Sequence, residues 1–189
     1  SITGYTFLQD LDWEELNDVS EELSTSSSLK ILKEMAGDLS VVIMAGLVER
    51  RGGDFYNTYV AVNGKEILAR FSKLHPFINK HLSPGEGYTF FDLEGWKCSI
   101  LVCYDNNIVE NVRAVALSGA QILFAPHVTG GTPSPMPGRG FIDESLWENR
   151  HSDPVSIRKE LNGPKGREWL MHWLPARAYD NGIYLSFSN

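Results

Sequence analysis

The stretch ILVCYDNNIVENVRAVALSGAQILFAP, residues 100–126, decides the reading of this chain. An apolar run stops at Cys103, and a polar elbow, Tyr104-Asp105-Asn106-Asn107, follows. A segment of helical spacing then leads to a second apolar run ending at Pro126. The pattern is strand, sharp turn, helix, strand, with a thiol at the turn. Backbone N–H groups near a helix N-terminus stabilise a thiolate and an oxyanion forming beside it, so a cysteine placed there suits nucleophilic work. The same residue also fits the usual fate of a free cysteine, a small buried hydrophobe. Position alone leaves both readings open.

Upstream of the elbow the period changes to that of strands. VVIMAGLVER (41–50) is nearly continuous in apolar residues, as in a strand buried on both faces. FYNTYVAVN (55–63) and KEILARFSK (65–73) follow, separated by the turn signals Arg51-Gly52-Gly53-Asp54 and Asn63-Gly64. Such tight turns predict three antiparallel neighbours. Further strands are expected at 88–93, 97–103, 121–126 and from Ile183 onward. Helical spacing appears in 9–23, in 29–36 with Gly37 as a stop, in 108–119, and in 164–182, where Trp169, Leu170, Trp173 and Leu174 share a face. Residues 127–157 are rich in proline and glycine with little periodicity, the character of a long excursion near a site. Mixed antiparallel and βαβ connections with bracketing helices predict a layered α/β domain.

Composition narrows the function. The chain carries 24 acidic against 17 basic residues, a formal net charge of −7, with no Lys/Arg block. Nucleic-acid binding, which needs clustered cations, is therefore not expected. No apolar stretch approaches a membrane span of about 20 residues. The two cysteines, Cys98 and Cys103, would point to opposite faces if one strand held both, so no disulfide is expected and the compartment is read as the cytoplasm. The five histidines form no metal-binding pattern, and neither a metal nor an organic cofactor is expected.

Two chemistry-bearing groups end strands: Lys73 in ARFSKLHPF and Cys103 in SILVCYDN. Strand ends meet at one edge of an α/β sheet, where ligands bind. An ammonium near a thiol favours the thiolate and can hold a carbonyl oxygen as it turns negative. Lys73 is equally compatible with a solvated strand-end lysine. His127, just beyond the strand 121–126, either lines a substrate pocket or makes a structural hydrogen bond. Glu49 reads as structural, because its strand runs straight into a turn.

SITGYTF, GLVERRGGDFYNTYVAV, ARFSKLHPF, the elbow 100–126 and LPARAYDNGIYLSFSN, in that order, resemble segments of the nitrilase, or carbon–nitrogen hydrolase, superfamily. The resemblance covers nearly the whole chain and implies a four-layer α-β-β-α sandwich. It also implies a Glu-Lys-Cys triad in which Lys73 and Cys103 match the lysine and the nucleophile, with no cofactor. Tyr104, through its backbone N–H and the pocket, and His127 are the expected substrate-binding residues. The family's first glutamate falls ahead of Ser1, so residues 1–189 are expected to be one domain incomplete at both termini. Many members carry a second glutamate where this chain has Asn79 or Lys80, with Glu86 as a nearby substitute. The activity implied is hydrolysis of an amide through a cysteine thioester. Nitrile or N-carbamoyl amide hydrolysis and a non-catalytic scaffold are the alternatives. The implied partners are a small-molecule amide or nitrile substrate and further copies of the chain in a homo-oligomer, with the helix after Cys103 near an interface.

Overall fold

A computed structural model describes residues 2, 4–130, 134 and 136–189. After a short 3-10 turn, Thr6–Asp10, the chain forms helices α1 (Trp13–Val19) and α2 (Ser27–Leu39), then strands β1 (Ile43–Arg51), β2 (Asp54–Val62), β3 (Ile67–Ser72), β4 (Phe90–Leu93) and β5 (Trp96–Ile100). A second 3-10 turn, Cys103–Asn106, leads to α3 (Val109–Leu117) and β6 (Ile122–Pro126). Helices α4 (Glu144–Glu148), α5 (Pro154–Asn162) and α6 (Arg167–Tyr179) precede β7 (Tyr184–Ser188).

Two sheets result. One is an antiparallel meander in the order β1-β2-β3, and the other has the order β4-β5-β6-β7. In the second, β4 and β5 are antiparallel while β5-β6 and β6-β7 are parallel, as helical crossovers require. The side-chain alternation of β2 explains the layering. Val60 and Val62 face Leu29 of α2, while Ala61 joins Ala69, Phe71, Phe91, Ile100 and Leu101 in a core that spans both sheets. Val112 and Val115 of α3 complete that core, and α6 packs on β7. The order is α-β-β-α, as the resemblance implies. Helix α2 sits close to the first sheet because Gly37 meets Gly64 of the β2–β3 turn; a Cβ built on Gly64 would come within 2.6 Å of the Gly37 Cα. Gly37 therefore serves packing, and α2 runs on to Leu39, with Ser40 in the left-handed conformation as its cap.

Three expectations are corrected. The helical spacing of 9–23 is broken, because Asp12 caps α1 in a capping box with Glu15 and so leaves the helical conformation itself. The excursion 127–157 contains α4 and the start of α5, each begun by an aspartate cap, Asp143 and Asp153. Residues 131–133 and 135 of that excursion lie outside the described residues. Finally, β5 stops at Ile100, three residues before the expected end, so Cys98 and Cys103 do not share a strand. Both are nonetheless free thiols. No described helix is long and apolar enough to cross a membrane.

Candidate active site

Beyond Ile100 the chain leaves its strand. Leu101 N–H still donates to the Phe124 carbonyl of β6 at 3.1 Å, but the Leu101 carbonyl accepts from the Asn106 side-chain amide at 2.5 Å. Arg177 of α6 reaches the carbonyls of Asn106 and Asn107, each at 3.2 Å. These contacts fix a tight elbow, and Cys103 opens it with φ at +53°. A β-carbon is disfavoured in that region by about 1–3 kcal/mol, a cost that tends to collect where function needs an unusual side-chain direction. The Cys103 thiol is partly exposed and points toward the Val128 carbonyl, 3.9 Å away.

Lys73 directly follows β3. Its backbone is held on both sides, by Asn57 carbonyl at 2.8 Å and by Gly85 N–H at 2.9 Å. Its side chain is fully buried, and the ammonium donates to the carbonyl of Val102, the residue before Cys103, at 2.6 Å. The structure thus brings the end of β3 and the cysteine elbow together. Burial pushes the Lys73 ammonium below the ordinary lysine range, and the nearby Asp105 and Cys103 oppose that push.

Cys103 opens onto a pocket of about 40 Å³ lined by Tyr5, Asn57, Tyr59, His127 and Val128 among others. His127 is buried, packs against Phe187 and Trp173, and lies 3.5 Å from the Asn106 amide. Burial, reinforced by Lys73, lowers its pKa to about 4, so the ring is neutral near pH 7. Tyr104 lies elsewhere: its ring is 45% exposed, sets its edge against His75 and Phe77, and is not among the residues lining this pocket.

Two residues escaped sequence reasoning. The Tyr5 hydroxyl is buried with no hydrogen-bond partner among the described residues, and its pKa is pushed up to about 12 by burial and by the fields of Cys103 and Asp105. Asp105, fully buried, sits 3.8 Å from the Lys73 ammonium. Both stood inside segments already quoted, SITGYTF and the elbow, but only the fold shows which way they face. The candidates for a second carboxylate go elsewhere. Lys80 is exposed, Asn79 donates to the carbonyls of Leu8 and Leu11, and Glu86 is exposed in a cleft with Arg51, Arg70 and Ser72. Glu49 is absorbed by Thr58 at 2.7 Å and Arg70 at 3.2 Å.

The likeness to known proteins agrees with this geometry. The carbon–nitrogen hydrolase family model matches residues 1–189. A nitrilase of Pyrococcus abyssi is 30% identical over 127 residues, covering 66% of this chain and 47% of the relative. A 2-oxoglutaramate amidase of Bacillus subtilis is 35% identical over 128 residues, covering 65% and 47%. Among solved structures, an amidase variant from Nesterenkonia sp. AN1, with acrylamide added at its active-site cysteine, superposes with a TM-score of 0.59 at 26% identity, covering 88% of this chain and 55% of that one. The chain spans about half the length of the relatives it matches. With the elbow, the buried lysine and the layered sheets in place, these matches show that the chain belongs to the carbon–nitrogen hydrolase family.

Proposed function

We propose that the protein is an amidase that cleaves non-peptide carbon–nitrogen bonds of small amides through a thioester on Cys103. The observation that carries this reading is the buried Lys73 ammonium held against the carbonyl next to a strained, pocket-facing cysteine. A structural lysine has no reason to be buried at such cost beside a thiol. The cysteine adduct in the similar Nesterenkonia amidase supports the assignment of Cys103 as nucleophile.

In this reading a carboxylate, which the resemblance expects ahead of Ser1, takes the Cys103 proton. Sulfur attacks the amide carbon, and the C=O pair moves onto oxygen. Lys73 and the Tyr104 backbone N–H hold that oxyanion. Its collapse breaks the C–N bond, and the amine leaves with the proton. Water then cleaves the thioester, giving the acid and restoring the thiol. Neutral His127 and the unpartnered Tyr5 hydroxyl orient the substrate. The two residues assigned to substrate thus divide: Tyr104 acts through its backbone and His127 through its ring. The free cysteines support a cytoplasmic location. Exposed Val109 and Leu117 on α3 support a homo-oligomer with that helix near the interface.

The test is ammonia release from a panel of small amides and nitriles by the full-length protein. Turnover of an amide that Cys103→Ala abolishes is expected. Turnover that survives this change sinks the mechanism, and turnover of nitriles alone moves the protein to nitrile hydrolysis.

A further inference from the structure

The carboxylate that reaches Lys73 does not come from the loop between the lysine and the cysteine. It comes from the elbow itself, two residues past Cys103. Resting on the amidase reading, we propose that Asp105 is a positioning residue for Lys73, aligned from its solvent side by His75, so that Lys73, Asp105 and His75 work as one unit.

The geometry supplies the argument. A lysine ammonium has three N–H donors. The Val102 carbonyl takes one at 2.6 Å, and a single acceptor leaves the head free to rotate about that bond. Asp105 supplies the second direction, at 3.8 Å, which is too long for a hydrogen bond but close for opposite charges with no solvent exposure on either side chain. The third N–H has no acceptor among the described residues, and the amidase reading assigns it to the substrate oxygen. A short contact with the carboxylate would tie up the ammonium and weaken its hold on a developing oxyanion. The observed spacing keeps the charge in place and leaves the donor available.

That spacing is enforced rather than incidental. One Asp105 oxygen accepts from Leu74 N–H at 3.1 Å, and the other accepts from His75 N–H at 3.0 Å. The His75 ring meets this second oxygen through Nδ1 at 3.0 Å. Two of these donors belong to the backbone that immediately follows Lys73, so the carboxylate ties the segment after β3 to the elbow that carries Cys103. It cannot swing toward the ammonium without breaking them. Asn111 of α3 donates to the Asp105 carbonyl at 3.1 Å and fixes the other end of the residue. His75 is the part of this unit that meets water, with its side chain 45% exposed.

The ionisable groups around the unit are Cys103 and His127, whose fields act with or against Lys73, and Tyr5, which feels both Asp105 and Cys103. Within that set the charge of Asp105 opposes the cost of burying the Lys73 ammonium most strongly, ahead of Cys103. Removing that charge therefore lowers the pH at which Lys73 loses its proton.

The experiment uses the full-length enzyme with an amide whose turnover depends on Cys103. Steady-state kinetics are measured across pH for wild type, Asp105→Asn, Asp105→Glu and His75→Ala, with thermal melting as the check on folding. Asp105→Asn is expected to lower kcat by about 100-fold with KM changed by less than about threefold, because orientation of the donor is lost while the pocket stays. The alkaline limb of its kcat profile should move down by about one pH unit or more. Asp105→Glu should restore part of the rate and return the limb toward wild type. His75→Ala should lower kcat by about three- to tenfold in the same direction. An Asp105→Asn enzyme that melts like wild type and keeps its alkaline limb overturns the proposal, whatever its rate. If Asp105→Asn does not fold, His75→Ala decides, since its half-exposed ring can be removed without opening the core; unchanged kcat and an unchanged limb then overturn it. Amide turnover that survives Cys103→Ala would instead remove the amidase reading on which the proposal stands.

Discussion

Replacing Lys73 by methionine separates what this lysine costs from what it does. The two side chains have similar length and volume, so the core between the sheets stays filled. Replacing a whole buried ion pair by apolar groups can gain about 1–4 kcal/mol, but removing one partner alone costs about 3–5 kcal/mol, because the other charge stays buried and unpaired. Here the charge-assisted bond to Val102 at 2.6 Å is lost as well, a term of about 1.5–3 kcal/mol within that cost. Asp105 keeps its three donors at 3.0–3.1 Å and loses only a partner at 3.8 Å. Those donors offset part of the cost, so Lys73→Met is expected to lose about 2–4 kcal/mol in urea unfolding near pH 7. Activity should behave otherwise. Loss of one preorganised donor to an oxyanion costs about 10²–10³ in kcat, or about 2.7–4 kcal/mol. The pH dependence carries a second sign. Because burial lowers the Lys73 pKa in the folded protein, the unfolded chain binds more protons between that lowered value and the ordinary 10.5. Wild-type stability therefore rises with pH across that window relative to Lys73→Met, and the deficit of the variant grows there. Ammonia release at saturating amide and urea titrations at neutral and alkaline pH measure both effects. A variant that keeps more than about a tenth of wild-type kcat refutes the role assigned to the ammonium. A variant as stable as wild type refutes the balance of terms.

Of Cys98 and Cys103, iodoacetamide should modify Cys103 and spare Cys98, because Cys98 is fully buried and burial pushes its thiol up; an adduct at Cys98 on the native protein, seen by peptide mass spectrometry, would contradict this. His127, with its pKa lowered from 6.5 to about 4, binds a proton more readily in the unfolded chain, so stability should fall as pH drops through that window, by about 3 kcal/mol in all. His127→Gln should flatten that part of the profile in urea titrations across acid pH. Gly85→Ala should lower stability by about 1–3 kcal/mol and slow turnover by about 100-fold without removing any reacting group. Its Cβ would lie 2.8 Å from the Ser72 carbonyl carbon and displace the backbone that grips Lys73; wild-type kcat and melting in this variant would contradict that account.

Strand pairing was legible in the sequence because the relevant signals are local. Arg51-Gly52-Gly53-Asp54 and Asn63-Gly64 announce their turns, and the apolar runs that flank them have the length of strands. The cysteine elbow was legible for the same reason: it is continuous in sequence, and an abrupt change from apolar to polar marks it. Boundaries held less well where a side-chain contact overrides spacing. Asp12 caps α1 inside a helical-looking stretch, and Asn106 takes the Leu101 carbonyl just past the end of β5. The partners of Lys73 could not be read at all. Asp105 is 32 residues away in sequence, and its carboxylate faces the lysine only because the sheets stack. A search for a carboxylate near the lysine in sequence led instead to Glu86, which the fold turns toward Arg51 and Arg70. Tyr5 was hidden for a similar reason, since nothing local marks a hydroxyl that will be buried beside a thiol far away in sequence.

Lys73 belongs to a meander whose turns are short, while Cys103 belongs to a sheet whose parallel pairs require crossovers through α3 and α6. Local hairpins close early during folding, and pairings between distant segments close late. The bond from Lys73 to Val102 cannot exist until both sheets are built and stacked. In refolding, catalytic competence should therefore return after the bulk of secondary structure, and enzyme activity becomes a clock for the last assembly step.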